Sequence, residues 1–299
     1  MTGTILKTKP LVENLKAGFL ADVKRLKELG VIPRLDVILV GSDSASQVYV
    51  RSKQKFCESL QMLGQTHFLS EKTTQNELLA LVEALNQDPA VHGILVQSPL
   101  PVGLDLSEVQ ESILPEKDVD GFHPLNAASL YLNRRVKNVP GFVPCTPLGV
   151  LEVLKWAKIP IAGRHAVVLG RSAIVGKPMA SLLLRENATV TICHSQTENL
   201  KFHCLSADIL ISAIGISQFV KRDWVKEGAT VIDVGINSIG LDPVTKKRKI
   251  SGDVDFEGAK EIAGAITPVP GGVGPMTIAM LISNTIRAAW GLHEKNTTL

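Results

Sequence analysis

The chain has 299 residues, 45% of them hydrophobic, with 32 basic residues against 29 acidic and a net charge of +3. That supports one large or two medium globular domains, and the near balance of charge leaves no nucleic-acid footprint. No apolar run is long enough to span a bilayer, Met1–Lys7 has no signal-peptide pattern, and the four cysteines show no C-x-x-C spacing, so a soluble cytoplasmic protein with reduced, buried thiols is expected.

Val12, Leu15, Phe19, Val23 and Leu26 recur at steps of three and four, predicting a helix from Val12 to Leu29 that Gly30 ends. Asp36–Val40 reads as a strand, Gly41–Ser44 as a turn, and Ala45–Leu63 as a helix. Gln65–Leu69 is the next strand, Asn76–Leu85 a helix and Val91–Val96 a third strand. Between Pro99 and Pro147 the pattern loosens under repeated prolines, and a domain boundary is placed near Pro140–Pro147. Thr146-Pro147 starts a helix through Trp156. Strand Ala166–Leu169, helix Gly176–Glu186, strand Thr189–Cys193, helix Glu198–Leu205, and strands Ile209–Ile214 and Thr230–Val234 follow. Lys246–Lys249, beside Asp242-Pro243, reads as a solvated turn; a short strand near Ala265–Thr267 and a largely apolar helix from Met276 to Trp290 close the chain. The alternation implies parallel sheets with helices on their faces. Ligands in such sheets bind beyond the strands' carboxyl ends, where Gly41, Gly170, Gly215 and Gly235 stand.

In the second helix, Tyr49, Lys53, Phe56, Leu60 and Leu63 step by four and three along one face, and the apolar members make it the buried one. Lys53 therefore stands where an apolar residue is expected, while Arg51, Lys55 and Glu58 lie off the face. A lysine drawn into low dielectric loses its proton more easily and can act as acid or base. A lysine whose stem merely covers apolar surface is the other reading. Gln97 follows the third strand directly, and Asp118-Val119-Asp120-Gly121 places two carboxylates in a turn. Pro268–Pro275 is a rigid loop with bare glycine backbone, suited to a flat ligand or a carboxylate, or serving only as a connector.

The stretch from His165 to Ala180 reads as strand, glycine turn and helix N-terminus, where free N–H groups and the helix dipole favour an anion. Of the G-x-G-x-x-G positions only Gly170 is glycine, with Ser172 and Val175 at the others, so an ordinary strand-to-helix turn also fits. The next strand ends at His194-Ser195-Gln196-Thr197 without the carboxylate that an NAD site offers the ribose. With Arg171 and Ser172 in the first turn, this points to NADP; Ser195 alternatively caps the following helix.

Together these motifs closely resemble the bifunctional methylenetetrahydrofolate dehydrogenase/methenyltetrahydrofolate cyclohydrolases. The family's Y-x-x-x-K stands at Tyr49–Lys53, V-Q-x-P-L-P at Val96–Pro101, D-V-D-G at Asp118–Gly121, P-C-T-P at Pro144–Pro147, G-R-S-x-x-V-G-x-P at Gly170–Pro178 and P-G-G-V-G-P-M-T at Pro270–Thr277. The resemblance spans nearly the whole chain in order. It implies two three-layer α/β domains, the second a Rossmann-type NADP domain, with the active site in the cleft between them. Residues 1–143 would form the catalytic folate-binding domain, onto which the terminal helix 276–299 packs back, and 144–275 the NADP domain. The implied activity oxidises 5,10-methylenetetrahydrofolate with NADP⁺ and hydrolyses the resulting methenyl cation to 10-formyltetrahydrofolate. Lys53 would be the catalytic group with Gln97 bonded to it, Tyr49 would stack on the folate, and Asp120 would accept from the pterin. Val96 would line the folate pocket, and Pro270, Gly271, Gly272 and Thr277 the aminobenzoyl and glutamate path; Gly170, Arg171, Ser172, Ser195 and Ile236 would hold NADP. The resemblance implies a homodimer and tetrahydrofolate substrates; the seven scattered histidines give no metal-ligand spacing, and charge and hydropathy give no reason to expect nucleic acid or a membrane.

Ser98 stands where leucine is usual, Ala128-Ser129 where Gly-Arg is common, and Ser217 where proline is usual; none removes a proposed catalytic group. The alternatives are a dehydrogenase without the hydrolytic step and a non-catalytic NADP-binding sensor. Nothing in Tyr49, Lys53, Gln97 or Asp120 suggests loss of the hydrolytic step, and an intact Lys53 speaks against the sensor.

Overall fold

Strands and helices alternate through most of the chain in a computed structural model that describes residues 3–136, 139–241 and 248–297. In order they are β1 (Thr4–Ile5), α1 (Lys9–Glu28), β2 (Arg34–Val40), α2 (Ser44–Ser59), β3 (Leu63–Leu69), α3 (Gln75–Gln87), β4 (Gly93–Val96), α4 (Leu106–Ser112) and α5 (Pro124–Tyr131). Then come α6 (Cys145–Trp156), β5 (His165–Leu169), α7 (Gly176–Arg185), β6 (Thr189–Cys193), α8 (Leu200–Leu205), β7 (Ile209–Ser212), β8 (Thr230–Asp233), β9 (Asn237–Leu241), β10 (Arg248–Ser251), α9 (Phe256–Ala259), β11 (Ala265–Ile266) and α10 (Val273–Thr297). Met1 and Thr2, Lys246 and Lys247 of the basic cluster, and Asp242-Pro243 beside it lie outside the described residues, whereas Arg248 and Lys249, expected in a solvated turn, open β10, which pairs antiparallel with β9. Among the described residues no helix is long and apolar enough to cross a membrane.

The chain divides into two α/β units. One comprises residues 14–144 and 278–299, the other 1–13 and 145–277. The first is built on a parallel sheet in the order β3-β2-β4. Ile38, Val40, Ile94 and Val96 of that sheet pack with Leu78 and Val82 of α3 and Val109 of α4 into one core. Buried Lys117 donates to the carbonyls of Leu85, Asn86 and Asp88 at 2.7–3.0 Å, satisfying the end of α3 with a cation where the helix dipole favours one. Asn284 of α10 donates to the carbonyls of Val119 and Val143, and a Cβ on Gly93 would meet Thr285 Oγ1 at 3.2 Å, so α10 lies close against β4.

The second unit carries a six-stranded parallel sheet in the order β1-β11-β8-β7-β5-β6. The chain leaves β5 for β6 on one side and returns to β7 on the other, the switch point at which open α/β sheets bind nucleotides. Val167, Leu169, Leu210, Val231 and Ile266 of the sheet and Cys204 of α8 share its core. The sequence boundary placed residues 1–143 in the first unit, but residues 1–13 group with the second. The reason is β1: two residues, too short to show a period, which pair with Ala265 and Ile266 at the sheet edge.

Further differences are local. The helix expected to reach Leu63 ends at Ser59, because Gln61 takes a left-handed turn (φ 57°) and Leu63 already opens β3, half exposed. The region read as loosened contains α4 and α5, seven and eight residues long and too short for an amphipathic repeat. Their signals are caps: Asp105 accepts from Ser107 N and Glu108 N, and His123 accepts from Leu125 N ahead of Pro124 at the helix start. All four cysteines are buried free thiols, and burial pushes those of Cys57 and Cys204 up to about 12.

Candidate functional site

Lys53 sits on the buried face of α2, 8% exposed, yet the face is not the predicted one. The buried stripe is Ser46, Val50, Lys53, Cys57 and Leu60, again at steps of four and three. Tyr49, 37% exposed, and half-buried Phe56 flank it, and Leu63 lies outside the helix. Lys53 Nζ donates to Gln97 Oε1 at 2.9 Å, and Gln97 Nε2 donates to the Ser98 carbonyl at 2.8 Å. The second bond orients the amide, so its oxygen rather than its nitrogen faces the lysine. Gln97 follows buried Val96, the last residue of β4, and its N–H is held by the Ile38 carbonyl of β2. A helix face supplies the lysine, and the end of β4, tied to central strand β2, supplies the glutamine. Desolvation raises the Tyr49 phenol above its ordinary value, so Tyr49 presents a neutral ring and hydroxyl.

The two carboxylates of Asp118–Gly121 part company. Asp118 is 2% exposed, and its oxygens accept from Gly121 N (3.1 Å), His123 N (2.7 Å) and Asn126 Nδ2 (2.8 Å). Asn126 in turn donates to the Pro115 carbonyl and accepts from Phe142 N. Burial pushes the Asp118 carboxyl up to about 7, against the pull of the bonds from Asn126 and His123. Asp118 thus shapes the loop, while Asp120 is half-buried. Gly121 is required by its left-handed φ of 79° and by the chain behind it: a Cβ would lie 2.7 Å from Pro144 N. The residues alone gave two carboxylates in one turn, and only the family resemblance singled out Asp120. Asn126, eight residues on from Asp118, was not singled out in the sequence as its partner.

In the other unit the turn after β5 offers N–H groups that suit an anion, by a different route from the expected one. The first N–H groups of α7 are not free: Val175 N and Gly176 N donate to Ser172 Oγ, Lys177 N donates to the Ser172 carbonyl, and residue 178 is proline. Instead the N–H groups of Arg171, Ser172, Ala173 and Ile174 have no partner among the described residues. The turn closes on bare backbone: a Cβ on Gly170 would lie 2.3 Å from the Ala213 carbonyl oxygen, and one on Gly176 2.2 Å from that of Gly170. Ser172 therefore shapes the cradle with its hydroxyl oxygen, while Arg171 is exposed.

At the end of β6, His194 N donates to Thr197 Oγ1 and Gln196 N to His194 Nδ1, closing a turn that leaves Ser195 exposed. Ser195 does not cap α8. The residue before α8 is Asn199, and no side chain caps it. Free backbone donors, an exposed Arg171 and Ser195, and no carboxylate at the β6 end fit a 2′-phosphorylated dinucleotide. Ile236 is 47% exposed after β8, in a loop tied by the buried pair Asp233 and Asp253, neither of which the sequence singled out. The Pro268–Pro275 loop is held by Thr8, whose hydroxyl donates to the Gly272 carbonyl at 2.7 Å. Thr277 Oγ1 lies 3.0 Å from Thr146 Oγ1, Pro270 and Gly271 are exposed, and Gly272 is buried. A separate cavity of about 660 Å³, lined by Trp156, Arg164 and Lys226 among others, opens at the amino ends of the same strands, the wrong end of the sheet for a nucleotide.

Comparisons with known proteins identify the family. Residues 6–120 match the tetrahydrofolate dehydrogenase/cyclohydrolase catalytic domain, and residues 144–292 its NAD(P)-binding domain. A bifunctional protein FolD of Caldicellulosiruptor saccharolyticus is 54% identical over 278 residues, covering 93% of this chain and 97% of that one. The solved structure of the bifunctional methylenetetrahydrofolate dehydrogenase/cyclohydrolase from Campylobacter jejuni is 46% identical with a TM-score of 0.89, covering 96% of this chain and 99% of that one. That of the Trypanosoma brucei dehydrogenase-cyclohydrolase, solved with NADP and an inhibitor, is 35% identical with a TM-score of 0.92 and covers 99% of both chains. The chain belongs to the tetrahydrofolate dehydrogenase/cyclohydrolase family.

Proposed function

We propose that Lys53 is the proton-handling group of this enzyme, oriented by Gln97, and that both reactions of the family use it. The activity is the NADP-dependent oxidation of 5,10-methylenetetrahydrofolate to the methenyl form and its hydrolysis to 10-formyltetrahydrofolate. Bound NADP⁺ supplies the hydride acceptor. Loss of hydride leaves a delocalised cation on the substrate, and water attacks its one-carbon centre. In this reading the Lys53 amine takes the proton that the attacking water sheds and returns it to the ring nitrogen as the ring opens. The Gln97 oxygen holds the amine in place without removing its proton, because an amide oxygen is a weak base. Asp120 pairs with the pterin's amino group and ring N–H, Tyr49 stacks on its face, and Val96 closes the pocket wall. Pro270, Gly271, Gly272 and Thr277 line the aminobenzoyl and glutamate path. Arg171 and Ser195 bind the 2′-phosphate, Gly170 and Ser172 shape the pyrophosphate turn, and Ile236 meets the cofactor beyond β8.

The observation that carries the proposal is the 2.9 Å bond from an 8%-exposed Lys53 to Gln97, since a lysine merely covering apolar surface would end in solvent. The test is Lys53→Met, which keeps the stem and removes the amine. Hydrolysis of methenyltetrahydrofolate is expected to vanish while the dissociation constant for NADP⁺ holds within about twofold. Undiminished hydrolysis refutes the role. A homodimer in the cytoplasm that supplies formyl groups for purine synthesis completes the proposal, resting on the family pattern; light scattering checks the dimer.

A further inference from the structure

Two buried carboxylates beyond the ends of β7 and β8 take no part in the chemistry above. Asp233, 3% exposed, ends β8; Asp253, fully buried, follows β10. Asp233 Oδ1 accepts from Gly235 N and Asp253 N, and its Oδ2 from Val254 N, each at 2.9 Å. Asp253 Oδ2 accepts from Ile214 N (2.7 Å) and Gly215 N (3.1 Å), and its Oδ1 from Asn237 Nδ2 (2.9 Å). Each aspartate thus holds a loop that carries the other or faces it. The packing is equally reciprocal. A Cβ on Gly252 would lie 1.9 Å from Asp233 Oδ2, and one on Gly235 2.1 Å from Asp253 Oδ1. Ser217, at a position where the family usually has proline, adds a bond to Ser251 beside them.

The cofactor's direction follows from the sheet order. The ribose bearing the 2′-phosphate is read at the end of the strand after the glycine turn, here β6 and Ser195. The rest of the dinucleotide then runs across the switch point, past β5, to the loops after β7 and β8 on the far side. Those are the loops the aspartates hold.

We propose that Asp233 and Asp253 are positioning residues for the nicotinamide half of the cofactor, fixing Gly215 and Gly235–Asn237, with exposed Ile236 between them, as the wall against which the ring is set for hydride transfer. The inference rests on the nucleotide reading of this unit. It separates the two ends of one ligand. The aspartates act on hydride transfer and leave the adenine half to Arg171 and Ser195.

The test uses the full chain. Asp233→Asn places an amide NH₂ against Val254 N–H or against both Gly235 and Asp253 N–H, so a donor faces a donor either way. Asp253→Ala removes its bonds outright. Both are expected to lower kcat/KM for NADP⁺ by at least about tenfold, while the dissociation constant for adenosine 2′,5′-bisphosphate, which lacks the nicotinamide, and the rate of methenyltetrahydrofolate hydrolysis stay within about twofold. Asp253→Asn is expected to recover most of the loss, because its oxygen can serve Ile214 and Gly215 while Asn237 turns its amide to accept from the new NH₂. Wild-type hydride transfer in Asp233→Asn overturns the inference, as does a parallel fall in all three readouts, which marks a merely structural role. Where Asp233→Asn fails to fold, the Asp253 pair decides: equal losses in the Asn and Ala variants overturn it. Failure of the wild type to bind the bisphosphate overturns the nucleotide reading, and this inference with it.

Discussion

Gly176→Ala adds one methyl group where the chain has no room. The new Cβ would stand 2.2 Å from the Gly170 carbonyl oxygen, 2.6 Å from its carbon and 2.9 Å from Arg171 Cα. Non-bonded atoms rest at about 3.5 Å, so backbone must part by more than about 1 Å. Gly170 is poorly placed to yield: its N–H is bonded to the Cys193 carbonyl at 2.8 Å, and Ala213 crowds its other side. The start of α7 therefore shifts, and the unpartnered N–H groups of residues 171–174 move with the turn. Overpacking of this kind costs roughly 1–3 kcal/mol, which corresponds to roughly 5- to 150-fold in an equilibrium constant when it falls on the cofactor-competent turn. Calorimetric titration with NADP⁺ reads the affinity, and hydrolysis of methenyltetrahydrofolate without NADP⁺ serves as the control. The expected result is a loss within that range, with hydrolysis within about twofold of wild type. NADP⁺ affinity unchanged within about twofold would refute the cradle. Equal losses in both readouts would mean that the close approach serves only the fold.

Arg171→Ala should raise KM for NADP⁺ about tenfold or more, the size of a charge-assisted hydrogen bond, and leave that for NAD⁺ nearly unchanged; equal effects would show that Arg171 does not read the 2′-phosphate. Acid should weaken the folate unit through His92. Burial, with Lys117 and Arg34 nearby, lowers this imidazole to about 4, and its Nδ1 accepts from Arg34 N. The unfolded chain takes up this proton near pH 6.5 but the native chain only near 4, so the stabilisation is complete above 6.5 and lost as pH falls through 4. At 1.36 kcal/mol per pH unit that is about 3 kcal/mol. In urea titrations the advantage of wild type over His92→Gln should shrink across that window, and a constant difference would refute the shift.

What the sequence determined by itself was whatever repeats or keeps a fixed local spacing. Long helices and buried strands announce themselves by period, so the parallel α/β character and the positions of Lys53, Gln97 and Gly170 were legible before any coordinates. Tertiary structure decided which neighbour each residue meets. The buried face of α2 rotated from Tyr49 and Phe56 to Val50 and Cys57, because local spacing permits both stripes and only packing against the sheet selects one. That two-residue β1 joins the nucleotide sheet was hidden, because its pairing partner lies some 260 residues away in sequence. Asp118 and Asp120 lie two residues apart in a four-residue motif, but only Asp118 is buried and bonded to Asn126, which makes it a scaffold, while Asp120 stays half-buried. Asp233 and Asp253 were invisible for the same reason. A carboxylate whose partners are backbone N–H groups from distant loops leaves no pattern along the chain, since those donors exist at every residue and only folding aims them.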